Sequence, residues 1–93
     1  MAKVKDYVVE HNGKVVIRQW HYMCPGCNRI HALSPDVHQF NGDYDNPTFS
    51  PSCLQNWTPG DTCHSFIRSG MIQFLGDCDH NLKNQTVPLP EIV

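Results

Sequence analysis

Tyr22-Met23-Cys24-Pro25-Gly26-Cys27 decides how this chain folds. Two thiols with two residues between them, Pro-Gly letting the turn close on one ion, have the spacing of half a zinc site. The complementary half need not be near in sequence. Cys63 to Leu75 reads as a hairpin in which Phe66 and Arg68 alternate with Ile67, and Ser69-Gly70 makes the reversal. Antiparallel pairing about that reversal brings Cys63 and Cys78 together. Cys24, Cys27, Cys63 and Cys78 are therefore expected to close a tetrahedral four-cysteine site. His80 could replace one thiolate, and His31 is a further substitute. Cys53 is left over as a small buried residue.

Working outward, Val4 to Glu10 and Lys14 to Met23 are rich in Val, Ile, Tyr and Trp, with Asn12-Gly13 between them. Asn-Gly suits the pair of positive φ angles of a tight hairpin turn. Short strands are expected at Arg29 to Leu33 and Val37 to Phe40. Turn formers dominate from Asn41 to Pro51, and Pro59-Gly60-Asp61 is a further turn. Asp77 to Lys83 reads as a short helix, with Asp77 as N-cap and Asn84 in the left-handed position after it. Val87-Pro88-Leu89-Pro90 must be extended and cannot join a central ladder. The expected fold is small and mainly β (α+β at most): one domain over 1–93, two β-hairpins clamped by a structural zinc site, and one short C-terminal helix.

Composition agrees. A chain of 93 residues buries only roughly 60–65% of its unfolded surface, which leaves a marginal core. Five cysteines are an odd number for a disulfide framework, and the lysines near the start precede no apolar run of the kind a signal peptide needs. The expectation is a cytoplasmic protein whose thiols stay reduced and bind metal. A redox pair at Cys24 and Cys27 would call for a βαβ setting, which is missing. Seven basic residues against nine acidic ones leave a formal charge of -2, so a nucleic-acid partner is not expected. No apolar stretch approaches the ~20 residues of a membrane span.

A site closed by four thiolates is structural, since no coordination position stays open to a substrate. Chemistry must then come from other side chains. Ser52 follows Pro47-Thr48-Phe49-Ser50-Pro51 in a rigid segment, and His64 follows a metal ligand. Neighbours in an extended segment point to opposite faces, so a metal-bound Cys63 turns His64 away from the ion. Ser52 and His64 are a possible nucleophile and base, with Asp77 or His80 orienting the imidazole. The plainer reading is a turn serine and a packed histidine. A zinc-ribbon-like module that binds a protein through Trp20, Phe40, Tyr44 and Trp57 is the non-catalytic alternative. A hydrolytic metal site at His31, His64 and His80 is another.

From about Tyr22 to Pro90 the chain resembles a family of small phage and prophage proteins. The resemblance rests on Cys24-Pro25-Gly26-Cys27 with His31, on Pro47-Thr48-Phe49-Ser50-Pro51-Ser52, and on Cys63-His64-Ser65-Phe66 running on to Leu75. Asp77-Cys78-Asp79-His80 and Gln85-Thr86-Val87-Pro88-Leu89-Pro90 complete it. Asn28 and Asn84 stand where that family usually has glycine, which suits a left-handed backbone. Longer proteins of bacterial operons, encoded beside ubiquitin-like proteins and their conjugating enzymes, are distantly similar at the Cys pair, Pro51-Ser52 and Cys63-His64. They are regarded as serine-type deconjugating peptidases. The resemblance implies zinc on Cys24, Cys27, Cys63 and Cys78, with Ser52 as nucleophile and His64 as base. It also implies a protein substrate or partner such as a ubiquitin-like conjugate, met by a phage-encoded protein in the cytoplasm of its bacterial host.

Overall fold

Both expected hairpins form, each closed by two residues of positive φ. Asn12 (φ 52°) and Gly13 (φ 76°) turn the first; Ser69 (φ 49°) and Gly70 (φ 79°) turn the second. The computed structural model describes residues 2–56 and 60–92, so Pro59 of the sequence-predicted turn and Trp57 of the expected binding aromatics lie outside the described residues. The strands are β1 (Lys5–His11), β2 (Lys14–Cys24), β3 (Arg29–Leu33), β4 (Gln39–Phe40), β5 (Phe49–Asn56), β6 (Thr62–Arg68), β7 (Met71–Phe74) and β8 (Thr86–Pro88). They build two antiparallel sheets, ordered β1-β2-β3 and β4-β5-β6-β7-β8. As the prolines require, β8 is an edge strand. Among the described residues no helix is long and apolar enough to cross a membrane.

The core lies between the sheets. Tyr22 and Leu33 from one meet Phe49, Ile67, Ile72 and Phe74 from the other, while Trp20 rests on Phe40 and Phe49 with ring centroids 5.2 and 5.6 Å away. Of the twelve buried apolar residues described, four are cysteines. Each fully buried Leu, Ile or Phe contributes roughly 1.5–3 kcal/mol, and so few of them make a thin core for a domain of this size.

Three expectations fail. The strand expected from Val37 shrinks to Gln39–Phe40, because Val37 and His38 donate instead to the Ser34 carbonyl in a turn (3.0 and 2.9 Å). A full strand, β5, occupies residues 49–56, where only a rigid proline segment was expected. The C-terminal helix is not seen. Residues 77–80 are drawn apart by separate partners: Asp77 bonds the His64 ring, Cys78 the His64 backbone, Asp79 accepts from the Thr62 N–H, and His80 reaches the Cys63 sulfur. A helix would align such side chains on fixed faces. Only single reversals remain, such as Lys83 N–H to the His80 carbonyl at 3.3 Å.

Candidate active site and metal centre

The pleat of β6 divides the site in two. Cys63, Ser65 and Ile67 are buried against the opposing sheet, while His64 and Phe66 point outward. On β5, Phe49 pairs with Ile67 and Cys53 with Ser65, so three residues, 50–52, stand against Phe66 alone. Such an irregularity re-aims side chains beside it. Phe49 and Cys53 both point inward, and Ser52 emerges on the outer face beside His64.

There Ser52 Oγ lies 2.9 Å from His64 Nε2, and His64 Nδ1 lies 3.0 Å from an Asp77 carboxylate oxygen. An ionised carboxylate only accepts, so Nδ1 carries the proton and Nε2 accepts from the Ser52 hydroxyl. That tautomer is the one a general base requires. The His64 side chain is 25% exposed and that of Asp77 55%. The backbone under the ring is held from the same loop. His64 N–H donates to Cys78 Sγ (3.2 Å), the Cys78 thiol donates to the His64 carbonyl (3.1 Å), and Leu75 N–H donates to it as well (2.9 Å). His38 Nε2 lies 3.3 Å from the Ser52 carbonyl.

On the inner face, Cys24, Cys27, Cys63 and His80 each offer one ligand atom, all within 4.8 Å of one another. Cys24 Sγ is 3.7 Å from Cys63 Sγ, and Cys63 Sγ is 3.4 Å from His80 Nε2. Ligands on a tetrahedral zinc stand roughly 3.8 Å apart for two sulfurs and roughly 3.6 Å for sulfur and nitrogen, given the usual bond lengths. The donor set fits a metal ion of that kind. Asn28, at φ 56°, closes the Cys24 turn by donating to the Cys24 carbonyl at 2.9 Å. Gly26 is required here, because a Cβ at that position would run into the His80 ring. Phe74 fixes that ring edge-on, 4.5 Å between centroids.

The three sulfurs perturb one another. The hydrogen bond from Cys63 holds the Cys24 thiol down to about 4, burial pushes Cys27 up to about 11, and the same bond to Cys24 raises Cys63. A divalent cation held by these groups would favour the thiolate form of all three. His31 is buried behind the group: its Nδ1 is 2.9 Å from the Tyr22 hydroxyl, and the ring beside Cys24 helps hold that thiol down. Cys53, also buried, has its thiol raised to about 12 by desolvation.

Two sequence-based assignments change. Cys78 is not in the metal-type group; its place is taken by His80, the substitute the spacing allowed. His80 in turn does not orient His64, a position that Asp77 occupies. Cys24, Cys27 and Cys63 come together as expected, as do Ser52, His64 and Asp77. The contact of His38 with the Ser52 carbonyl and the β5 irregularity carried no sequence signal beyond the prolines at Pro47 and Pro51.

Two features together define the class: a small two-sheet β protein, with a Ser-His-Asp array on one side of a strand and a Cys3His cluster on the other. The sequence model of the family described as the bacterial ubiquitination-like system serine protease (BubE) matches residues 2–75. The chain belongs to that family. The match includes Cys24, Cys27, Ser52, Cys63 and His64 and stops short of Asp77 and His80. No curated protein and no solved structure matches the chain.

Proposed function

We propose that the chain is a zinc-stabilised serine peptidase that hydrolyses the bond between a ubiquitin-like modifier and a protein target. Ser52 Oγ attacks the scissile carbonyl while His64 Nε2 takes its proton, and the imidazolium then protonates the departing amine. Water, deprotonated by the same nitrogen, releases the acyl group from Ser52. Asp77 keeps Nδ1 protonated and stabilises the imidazolium. Zinc would be held by Cys24, Cys27, Cys63 and His80. With all four tetrahedral positions filled by protein, it supplies rigidity and leaves hydrolysis to Ser52. The observation that carries this reading is the continuous contact from Ser52 through His64 to Asp77.

The open outward face of β5 and β6 that carries Ser52 and His64 suits a protein substrate. A phage encoding the chain would use it, in the host cytoplasm, to strip conjugates laid down by host defence. A serine-reactive fluorophosphonate should label the wild type and not Ser52→Ala. Equal labelling of both removes the peptidase reading. What would then remain is a zinc-ribbon-like module that binds a host protein, favoured by the exposed Tyr7, Val8, Val15, Val16 and Ile17 of the first hairpin. Such binding would be indifferent to Ser52→Ala.

A further inference from the structure

The outward face of β5 and β6 carries more than Ser52 and His64. Leu54 lies two residues beyond Ser52 on the same face, is 57% exposed, and pairs directly across the ladder with His64. Directly opposite residues in an antiparallel pair have Cβ atoms about 5 Å apart. Leu54 therefore stands beside the base, within reach of any chain whose carbonyl meets Ser52 Oγ. Phe66, two residues beyond His64, lines the same face and is steadied by the Arg68 guanidinium, 4.4 Å from its ring centroid. Its ladder neighbour Gln73 is exposed and polar. The surface around the array is thus open and shallow, with apolar contacts at Leu54 and Phe66 and a polar margin at Gln73. An apolar side chain this exposed beside a reactive centre does nothing for the core. It gains only when a substrate covers it.

We infer that the substrate's scissile segment lies extended across the outward face of β5 and β6, with an apolar side chain next to the cleaved bond packed on Leu54. The occupant is a stretch of substrate polypeptide. A folded modifier without an extended, accessible segment does not bring its carbonyl down to a flat sheet. Leu54 is then a specificity-determining residue. It contacts the bound segment equally before and during reaction, so its loss is felt in KM rather than in kcat. This inference rests on the peptidase reading and deepens it.

The test digests a proteome-derived peptide library with wild type and with Leu54→Arg, and follows with kinetics on one apolar fluorogenic peptide taken from the wild-type cuts. Wild-type cuts should be enriched in Leu, Ile, Val or Phe at one position beside the scissile bond. In Leu54→Arg that enrichment should give way to Asp or Glu, and KM for the apolar peptide should rise about tenfold, the size expected for one apolar contact, with kcat within about threefold. Leu54→Ala, which adds no charge, should raise KM in the same direction by less. Retained zinc content and circular dichroism keep the comparison to folded protein. The same apolar preference in wild type and Leu54→Arg would overturn the inference. So would a wild type whose Ser52 takes the fluorophosphonate but which cuts no peptide. Loss of the peptidase reading itself shows up differently, as a wild type that the fluorophosphonate does not label at Ser52.

Discussion

Cys63 and His64 are adjacent in sequence and live in different worlds. Cys63 faces inward into a cluster of four side chains able to hold a metal, three of them cysteines, packed against the Tyr22 and Phe74 core. His64 faces outward, with its partners on an irregular stretch of β5 and on a loop whose Asp77 is largely in solvent. The inner site is fixed from three separate segments: the Cys24 turn, β6, and His80. The outer array has a lighter frame, in which Cys78 and Leu75 hold the His64 backbone. Its base inherits position from Cys63, one residue back, and its carboxylate from His80, three residues on. The buried side therefore supplies the order, and the exposed side carries the proposed chemistry.

That contrast can be broken from the buried side with the largest effect. Cys24→Ala removes a ligand and should unfold the chain, since metal binding of this type contributes on the order of 10–16 kcal/mol, more than a core this thin holds in reserve. Loss of the cooperative thermal transition in circular dichroism, together with loss of bound metal, is the expected result. A Cys24→Ala protein that melts like wild type would dissolve the distinction between the two sides.

The exposed side should break differently. Asp77→Asn leaves the metal group and the fold intact and disturbs only the tautomer of His64, so the acylation rate should drop by roughly 10²–10⁴-fold while the melting temperature moves little. Active-site titration beside thermal melting checks this. An equal loss of fold and rate would mean that Asp77 is a structural anchor. Cys78→Ala sits between the two. The thiol bridges both polar groups of the His64 backbone, so its removal should cost about 1–3 kcal/mol of stability and part of the rate, with zinc stoichiometry unchanged. Zinc lost in proportion would return Cys78 to the ligand set. The smallest effect belongs to the far end of the first hairpin, remote from both sides: Val16→Lys should shift stability by less than about 0.5 kcal/mol and leave labelling of Ser52 as it was.

Much of this division is legible in the sequence. Cys24-Pro25-Gly26-Cys27 announces its turn, Asn12-Gly13 and Ser69-Gly70 mark the reversals, and the period of two along an extended segment separates Cys63 from His64. The choice between Cys78 and His80 is not legible, because both are soft ligands two residues apart and the path of the loop decides which one arrives. Gly26 is the physical hint, since the missing side chain there is the space the His80 ring fills. Asp77 looked like a helix cap because a carboxylate before a polar run caps helices as readily as it orients an imidazole. β5 was hidden by Pro47 and Pro51, which read as turn formers. Only its pairing with β6 shows that the irregularity around Pro51 turns Ser52 outward, with Phe49 and Cys53 on either side turned in.

The dependence of the outer array on the inner site comes down to one measurement: the rate at which a fluorophosphonate labels Ser52 in the zinc-loaded protein, after a chelator has stripped it, and after zinc is restored. The labelling should collapse on stripping and return on restoration. A stripped protein that stays folded and labels Ser52 at the undiminished rate would contradict the account.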